Sequence, residues 1–148
     1  MGCYAQPVLR VVLDTSAMAS ALRSRAGASF VLLRAVQLRR LTLLATPSLF
    51  LEYEDVLKRD EQREVSGLSL AEVDELLEEL AGLVEPVQVH LRWRPQLHDP
   101  GDELVLEAAI NGRADALVTY NMRHFRQAAP RFGLRLARPA ELLEEFRR

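Results

Sequence analysis

The chain holds one cysteine, Cys3, in 148 residues. A single thiol closes no internal disulfide, which points to a reducing compartment and to a fold held by its core. No apolar run approaches the roughly 20 residues that a bilayer-spanning helix needs. The N-terminus carries no myristoylation signal, because Gln6 stands where Ser or Thr is required after Gly2. It does not read as a secretory leader either, since its first apolar run is short and contains Arg10. These absences read as a cytoplasmic protein with no membrane partner. A basic excess is also missing: 19 Lys and Arg against 21 Asp and Glu leave a net charge of −2. Any nucleic-acid contact must therefore use a local patch. There is no G-x-x-x-x-G-K-[ST] loop, no G-x-G-x-x-G turn, and no Cys/His cluster for zinc. Internal repeats, low-complexity tracts and linkers are absent too.

What is present is an ordinary globular composition, 49% apolar and 27% charged, in a length that suits a single domain over residues 1–148. Residues 9–13 form a short apolar run that reads as a buried strand. A short segment at 17–25 follows, and apolar residues at helical spacing over 28–38 then predict a helix. Residues 41–45 read as a second strand, and Thr46-Pro47-Ser48 opens a helix with Pro in its first turn. Residues 59–67 read as a charged loop. Ser69-Leu70-Ala71-Glu72 is a capping box that opens an acidic amphipathic helix ending near Gly82. Residues 84–89 read as an edge strand because Pro86 interrupts them, and residues 91–101 as a loop. Residues 102–111 predict a helix stopped by Gly112, and 116–119 a buried strand. A short helix over 122–128, a strand over 134–136 and a helix over 139–146 complete the chain. Strands alternating with helices imply an α/β fold, a parallel sheet with helices on both faces.

Polar groups recur where strands end and helices begin. Asp14, Thr15 and Ser16 follow the first strand, and Glu52 lies early in the helix after the second. Asp99 and Asp102 flank the start of a later helix, while Thr119 and Asn121 end the 116–119 strand. Parallel strands point their carboxyl ends one way, so Asp14, Glu52, Asp102 and Asn121 can meet above one edge. Close carboxylates repel unless a cation compensates. An oxygen-rich nest of this kind suits Mg²⁺ or Mn²⁺, and one ion, or two about 4 Å apart, supports phosphodiester cleavage.

The segments VVLDTSAMAS, PSLFLEYEDVL, HDPGDELVLEAAINGRADALVTYNMRHF and RPAELLEEF resemble a PIN-domain protein. More narrowly, they resemble the VapC-like toxin components of bacterial toxin–antitoxin systems, over nearly the whole chain. The resemblance implies a PIN-like (Rossmann-like) three-layer α/β/α sandwich with a central, mostly parallel sheet. It also implies a Mg²⁺- or Mn²⁺-dependent endoribonuclease cutting single-stranded RNA, a cognate antitoxin and a homodimer. By the same resemblance Asp14, Glu52 and Asp102 match three metal-binding acids, Thr119 a hydroxyl residue, and Ser16 the small polar residue after the first acid. Asn121 stands where many members carry a fourth Asp. An amide oxygen brings no charge, so this position leaves one ion or two open.

Plainer readings compete with each residue. Taken alone, Asp14 reads as a helix cap. Glu54 and Asp55 lie roughly 200° and 300° around the helix from Glu52, at about 100° per residue, so only one of the three faces a site. Asp99, in Asp99-Pro100-Gly101, reads as a turn former or cap, Glu103 as turned away from the site, and Asp115 as a partner for nearby backbone N–H groups. Arg92-Trp93-Arg94 reads as a loop anchored by Trp93, with base stacking and phosphate contact as the alternative. Arg123 and Arg126 sit where phosphate contact is open to them, and His124 reads as a surface residue. Two other functions stay open. One is a Mg²⁺-dependent phosphatase or phosphotransfer domain, against which Ser16 stands where a haloacid-dehalogenase type needs a second acid. The other is a non-catalytic RNA-binding or interaction module in which Asn121 marks a decayed site.

Overall fold

The computed structural model describes residues 8–91 and 96–147. Cys3 and the Arg92-Trp93-Arg94 cluster lie outside the described residues. Five strands form one sheet in the order β3-β2-β1-β4-β5, with β1 spanning Arg10–Leu13, β2 Thr42–Ala45, β3 Glu85–Pro86, β4 Ala116–Val118 and β5 Leu136–Ala137. Every pairing among them is parallel, so the sheet is wholly rather than mostly parallel among the described residues. Val11, Val12 and Leu13 are buried to 1% exposure or less. A strand covered on both faces must be apolar throughout, which is why this run takes the centre of the sheet.

Helices flank the sheet: α1 Thr15–Arg23, α2 Ala28–Gln37, α3 Pro47–Lys58, α4 Asp60–Ser66, α5 Leu70–Ala81, α6 Pro100–Gly112, α7 Met122–Phe125 and α8 Pro139–Phe146. Their starts follow local chemistry. Thr46 accepts the Leu49 N–H at 3.1 Å ahead of Pro47 in α3. The capping box of α5 is complete in both directions, Ser69 with Glu72. Asp99 caps α6 by accepting the Gly101 N–H at 2.7 Å, so this helix starts at Pro100 and not at Asp102.

Residues 59–67 do not form a loop. They hold α4, which has Asp60 and Glu61 in its first turn and ends on Gly67 in the left-handed conformation (φ 75°). The expected edge strand contracts to Glu85–Pro86. Among the described residues it pairs with β2 alone, at a sheet edge where a missing N–H is tolerated. The last strand shifts to Leu136–Ala137, and α7 stops at Phe125. Gly112 ends α6 without leaving helical geometry; Arg113 takes the left-handed position beyond it (φ 51°). A Cβ on Gly112 would lie 2.9 Å from Val87 Cγ2 and 3.1 Å from Leu44 Cδ1. That position is glycine because α6 passes so close to the edge of the sheet.

Strand order places the switch in winding direction between β1 and β4. The chain leaves β1 toward β2 on one side and later returns to β4 on the other. Connections that diverge in this way open a crevice at the carboxyl ends of the two strands. Leu13 pairs with Val118 in register, so the residues that follow them, Asp14 and Thr119, stand side by side at the crevice.

Candidate active site

Asp14 occupies the N-cap position of α1, and the Ala17 and Met18 N–H groups bond its backbone carbonyl. Its side chain makes no cap hydrogen bond. The carboxylate, 1% exposed, instead accepts from Thr119 Oγ1 at 2.6 Å and from Ser16 Oγ at 3.0 Å, both on Oδ2. The cap reading is thus right for the backbone and wrong for the functional group. Both hydroxyls are oriented from behind. Thr119 Oγ1 accepts the Asn121 N–H at 2.9 Å, and Ser16 Oγ accepts the Tyr120 N–H at 3.4 Å. With an acceptor lone pair so occupied, each hydroxyl proton is directed to Asp14.

Tyr53 reinforces the same point from α3. Its side chain is fully buried, and its hydroxyl donates to the Leu13 carbonyl, one residue before Asp14. Burial pushes its phenol well above the ordinary range, and the Asp14 charge pushes it further. Tyr53 locks α3 to β1, and α3 carries Glu52. Glu52 approaches the first turn of α6: its Oε1 lies 3.7 Å from where a Cβ on Gly101 would stand. Its neighbours turn elsewhere, as helical spacing requires. Glu54 pairs with Lys58 at 3.5 Å and Asp55 with Arg59 at 2.8 Å.

Asp102 enters from the first turn of α6. Its carboxyl is raised to about 6, first by burial and then by the charges of Asp14 and Asp99, while His124 opposes the rise. Repulsion from Asp14 places the two carboxylates in one electrostatic field. His124 Nδ1 lies 3.0 Å from Asp102 Oδ2. His124 is therefore a neighbour of the acids and not merely a surface residue. Its position three residues after Asn121, on the short helix that Asn121 precedes, was the available signal. The Asn121 side chain is exposed and makes no hydrogen bond among the described residues; its backbone does the orienting.

The structure thus unites Asp14, Ser16 and Thr119 by direct hydrogen bonds and brings Asp102 into their field. It sets Glu52 beside the α6 start and Asn121 behind Thr119. Among the described residues, no three His, Cys, Asp or Glu side chains stand close enough together to form a metal site. The donors nevertheless suit a hard cation in kind: all are oxygens, and the Asp102 carboxyl is raised first by burial and then by the negative charges of Asp14 and Asp99.

Three other residues behave as their surroundings require. Asp115 Oδ2 accepts the Arg10 N–H at 2.8 Å and is structural, as expected. Glu103 accepts the Gln96 and Leu97 N–H groups. Asn111 holds His90 and Leu91 through three bonds of 2.7–2.9 Å.

A PIN-domain profile matches residues 10–123, the span from β1 through the start of α7. A chain in the crystal structure of VapBC2 from Rickettsia felis, bound to a DNA fragment from its promoter, superposes with a TM-score of 0.58. The superposition covers 88% of this chain and 98% of that one at 14% identity. No curated protein matches the sequence. The profile covers every element that contributes Asp14, Glu52, Asp102, Thr119 and Asn121, and by that match this chain belongs to the PIN-domain family.

Proposed function

We propose that the chain is a single-domain endoribonuclease dependent on Mg²⁺ or Mn²⁺, cutting single-stranded RNA in the cytoplasm as the toxin of a toxin–antitoxin pair. The observation that carries this reading is the anchored Asp14. A buried carboxylate at the β1–β4 switch is held on Oδ2 by the Thr119 and Ser16 hydroxyls and shares its field with Asp102. Family membership supports a nuclease, and the structural neighbour comes from a crystal structure of VapBC2 bound to a DNA fragment from its promoter. A cognate antitoxin and a homodimer are part of the proposal on that footing.

Asp14, Glu52 and Asp102 would hold the cation. A bound divalent ion would polarise the phosphodiester and ease ionisation of the attacking water. The chain's own work is positional. Thr119 and Ser16 hold the Asp14 carboxylate in place through Oδ2, so the group would need no reorganisation when a cation binds. A cation there would offset the burial and the Asp14 and Asp99 charges that raise the Asp102 carboxyl to about 6. His124, at 3.0 Å from Asp102, orients that carboxylate from the exposed side. The exposed Asn121 amide would orient water or a phosphate oxygen without adding charge. A phospho-aspartate route has no second acid to use, because Ser16 fills that position and its hydroxyl is committed to Asp14.

The test is cleavage of an end-labelled single-stranded RNA in Mn²⁺. Wild-type protein should cut, and both Asp14→Asn and excess EDTA should stop it while the circular dichroism spectrum stays native. Full activity in Asp14→Asn, or activity untouched by EDTA, would rule the reading out.

A further inference from the structure

An open groove of about 540 Å³ runs along α1 from Thr15 and Ser16. Ser16, Ser20, Arg23, Val56, Arg59 and Tyr120 line it. Ser16 is the residue that bonds Asp14, so the groove is continuous with the crevice. Its size falls within the 300–1,000 Å³ typical of small-molecule sites, enough for a nucleotide.

Tyr120 is the unusual member. It lies between Thr119 and Asn121, is 44% exposed, and is not part of the core. An exposed tyrosine ordinarily loses nothing by rotating. This one is tied at both ends: its hydroxyl lies 2.8 Å from Ser29 Oγ and 3.4 Å from Ser20 Oγ, and its N–H bonds Ser16. A ring already ordered against the groove pays little entropy when a flat partner stacks on it. The two cations of the groove are also set for use. Arg23 donates through Nε to Gln62 at 2.8 Å, and Gln62 is itself held by the Ala19 carbonyl at 2.9 Å. The terminal nitrogens of Arg23 make no hydrogen bond among the described residues. Arg59 forms an ion pair with Asp55 at 2.8 Å, and both side chains are more than half exposed. Such a pair is weak and is readily exchanged for a phosphate.

We propose that this groove is a nucleotide subsite flanking the cleavage position, in which Tyr120 stacks a base of single-stranded RNA and Arg23 and Arg59 hold backbone phosphates. The inference rests on the nuclease reading and names the side chains that seat the strand. Stacking on an aromatic ring tolerates any base, so Tyr120 sets strandedness and register rather than sequence. A duplex, whose bases are already stacked on one another, gains nothing from it.

The test is binding of a fluorescent single-stranded RNA in EDTA, where cleavage plays no part. Tyr120→Leu should weaken binding about 5-fold to 150-fold, the value of one stacked base, and Tyr120→Phe should recover most of it. An oligonucleotide abasic at the stacked position should bind wild type and Tyr120→Leu alike. Arg23→Ala and Arg59→Ala should each lower the slope of log affinity against log salt by about 0.7. Unchanged binding in Tyr120→Leu, or equal losses on duplex RNA, would overturn the subsite. So would loss of an acidic peptide's binding in these variants with RNA binding intact, which would assign the groove to a protein partner. Wild-type protein that binds single strands through Tyr120 but cuts none in Mn²⁺ would overturn the nuclease reading and leave the subsite standing.

Discussion

Thr119 Oγ1 donates to Asp14 Oδ2 at 2.6 Å across the seam between β4 and β1, joining residues 105 positions apart. The contact exists because these two parallel strands are neighbours in register, although the chain reaches one at its start and the other near its end. It ties the winding of the sheet to the chemistry of the crevice.

Thr119→Val keeps the volume and removes the donor. Asp14 Oδ2 then depends on Ser16 alone, and the Asn121 N–H loses its acceptor. The expected loss is about 1–3 kcal/mol in stability, read by urea unfolding, with cleavage falling by more than in Thr119→Ser. Equal activity in the two variants would show that the hydroxyl does not position Asp14.

Asp102 gives a pH signature. Its folded carboxyl is raised to about 6 from 3.8, so between those values the folded state binds more protons than the unfolded one. Stability therefore falls as pH rises from about 4 to 6, and above 6 the ionised group is a standing cost. With 13% of the side chain exposed and solvent screening the charge, that cost is about 1–2 kcal/mol. Asp102→Asn should raise the melting temperature at pH 7 without divalent ions and change little at pH 4. His124→Ala should push the Asp102 carboxyl higher still, since His124 opposes its rise, and NMR titration reads this directly.

Much of the site was legible because it sits at element ends. An apolar strand followed by an acid, and a Pro-Gly turn followed by an acid, are local signals, and a parallel sheet points them one way. Contacts made through space were not legible. Residues 59–67 read as a loop because α4 buries a polar side chain: Gln62 bonds the Ala19 carbonyl and Arg23, and hydrophobic spacing carries no trace of that. His124 read as a surface residue because its partner Asp102 lies on another helix. Gly112 read as a helix stop, and α6 does end there, but its closeness to Leu44 and Val87 left no mark in the sequence.

Gly112→Ala tests that close approach. The added methyl meets Val87 and Leu44, both buried, and Val87 is stiff at its first torsion. A loss of about 1–3 kcal/mol is expected, against the usual gain from replacing glycine in a helix. A rise in melting temperature would contradict the packing described here.

The central claim is that Asp14, Glu52 and Asp102 act together as one oxygen-donor centre for a divalent cation. Calorimetric titration with Mn²⁺ tests it most directly. Wild-type protein should bind at millimolar concentration or tighter, and Asp14→Asn, Asp102→Asn and Glu52→Gln should each weaken or abolish the binding while remaining folded. No binding in the wild type, or the same isotherm in all four proteins, would contradict the account.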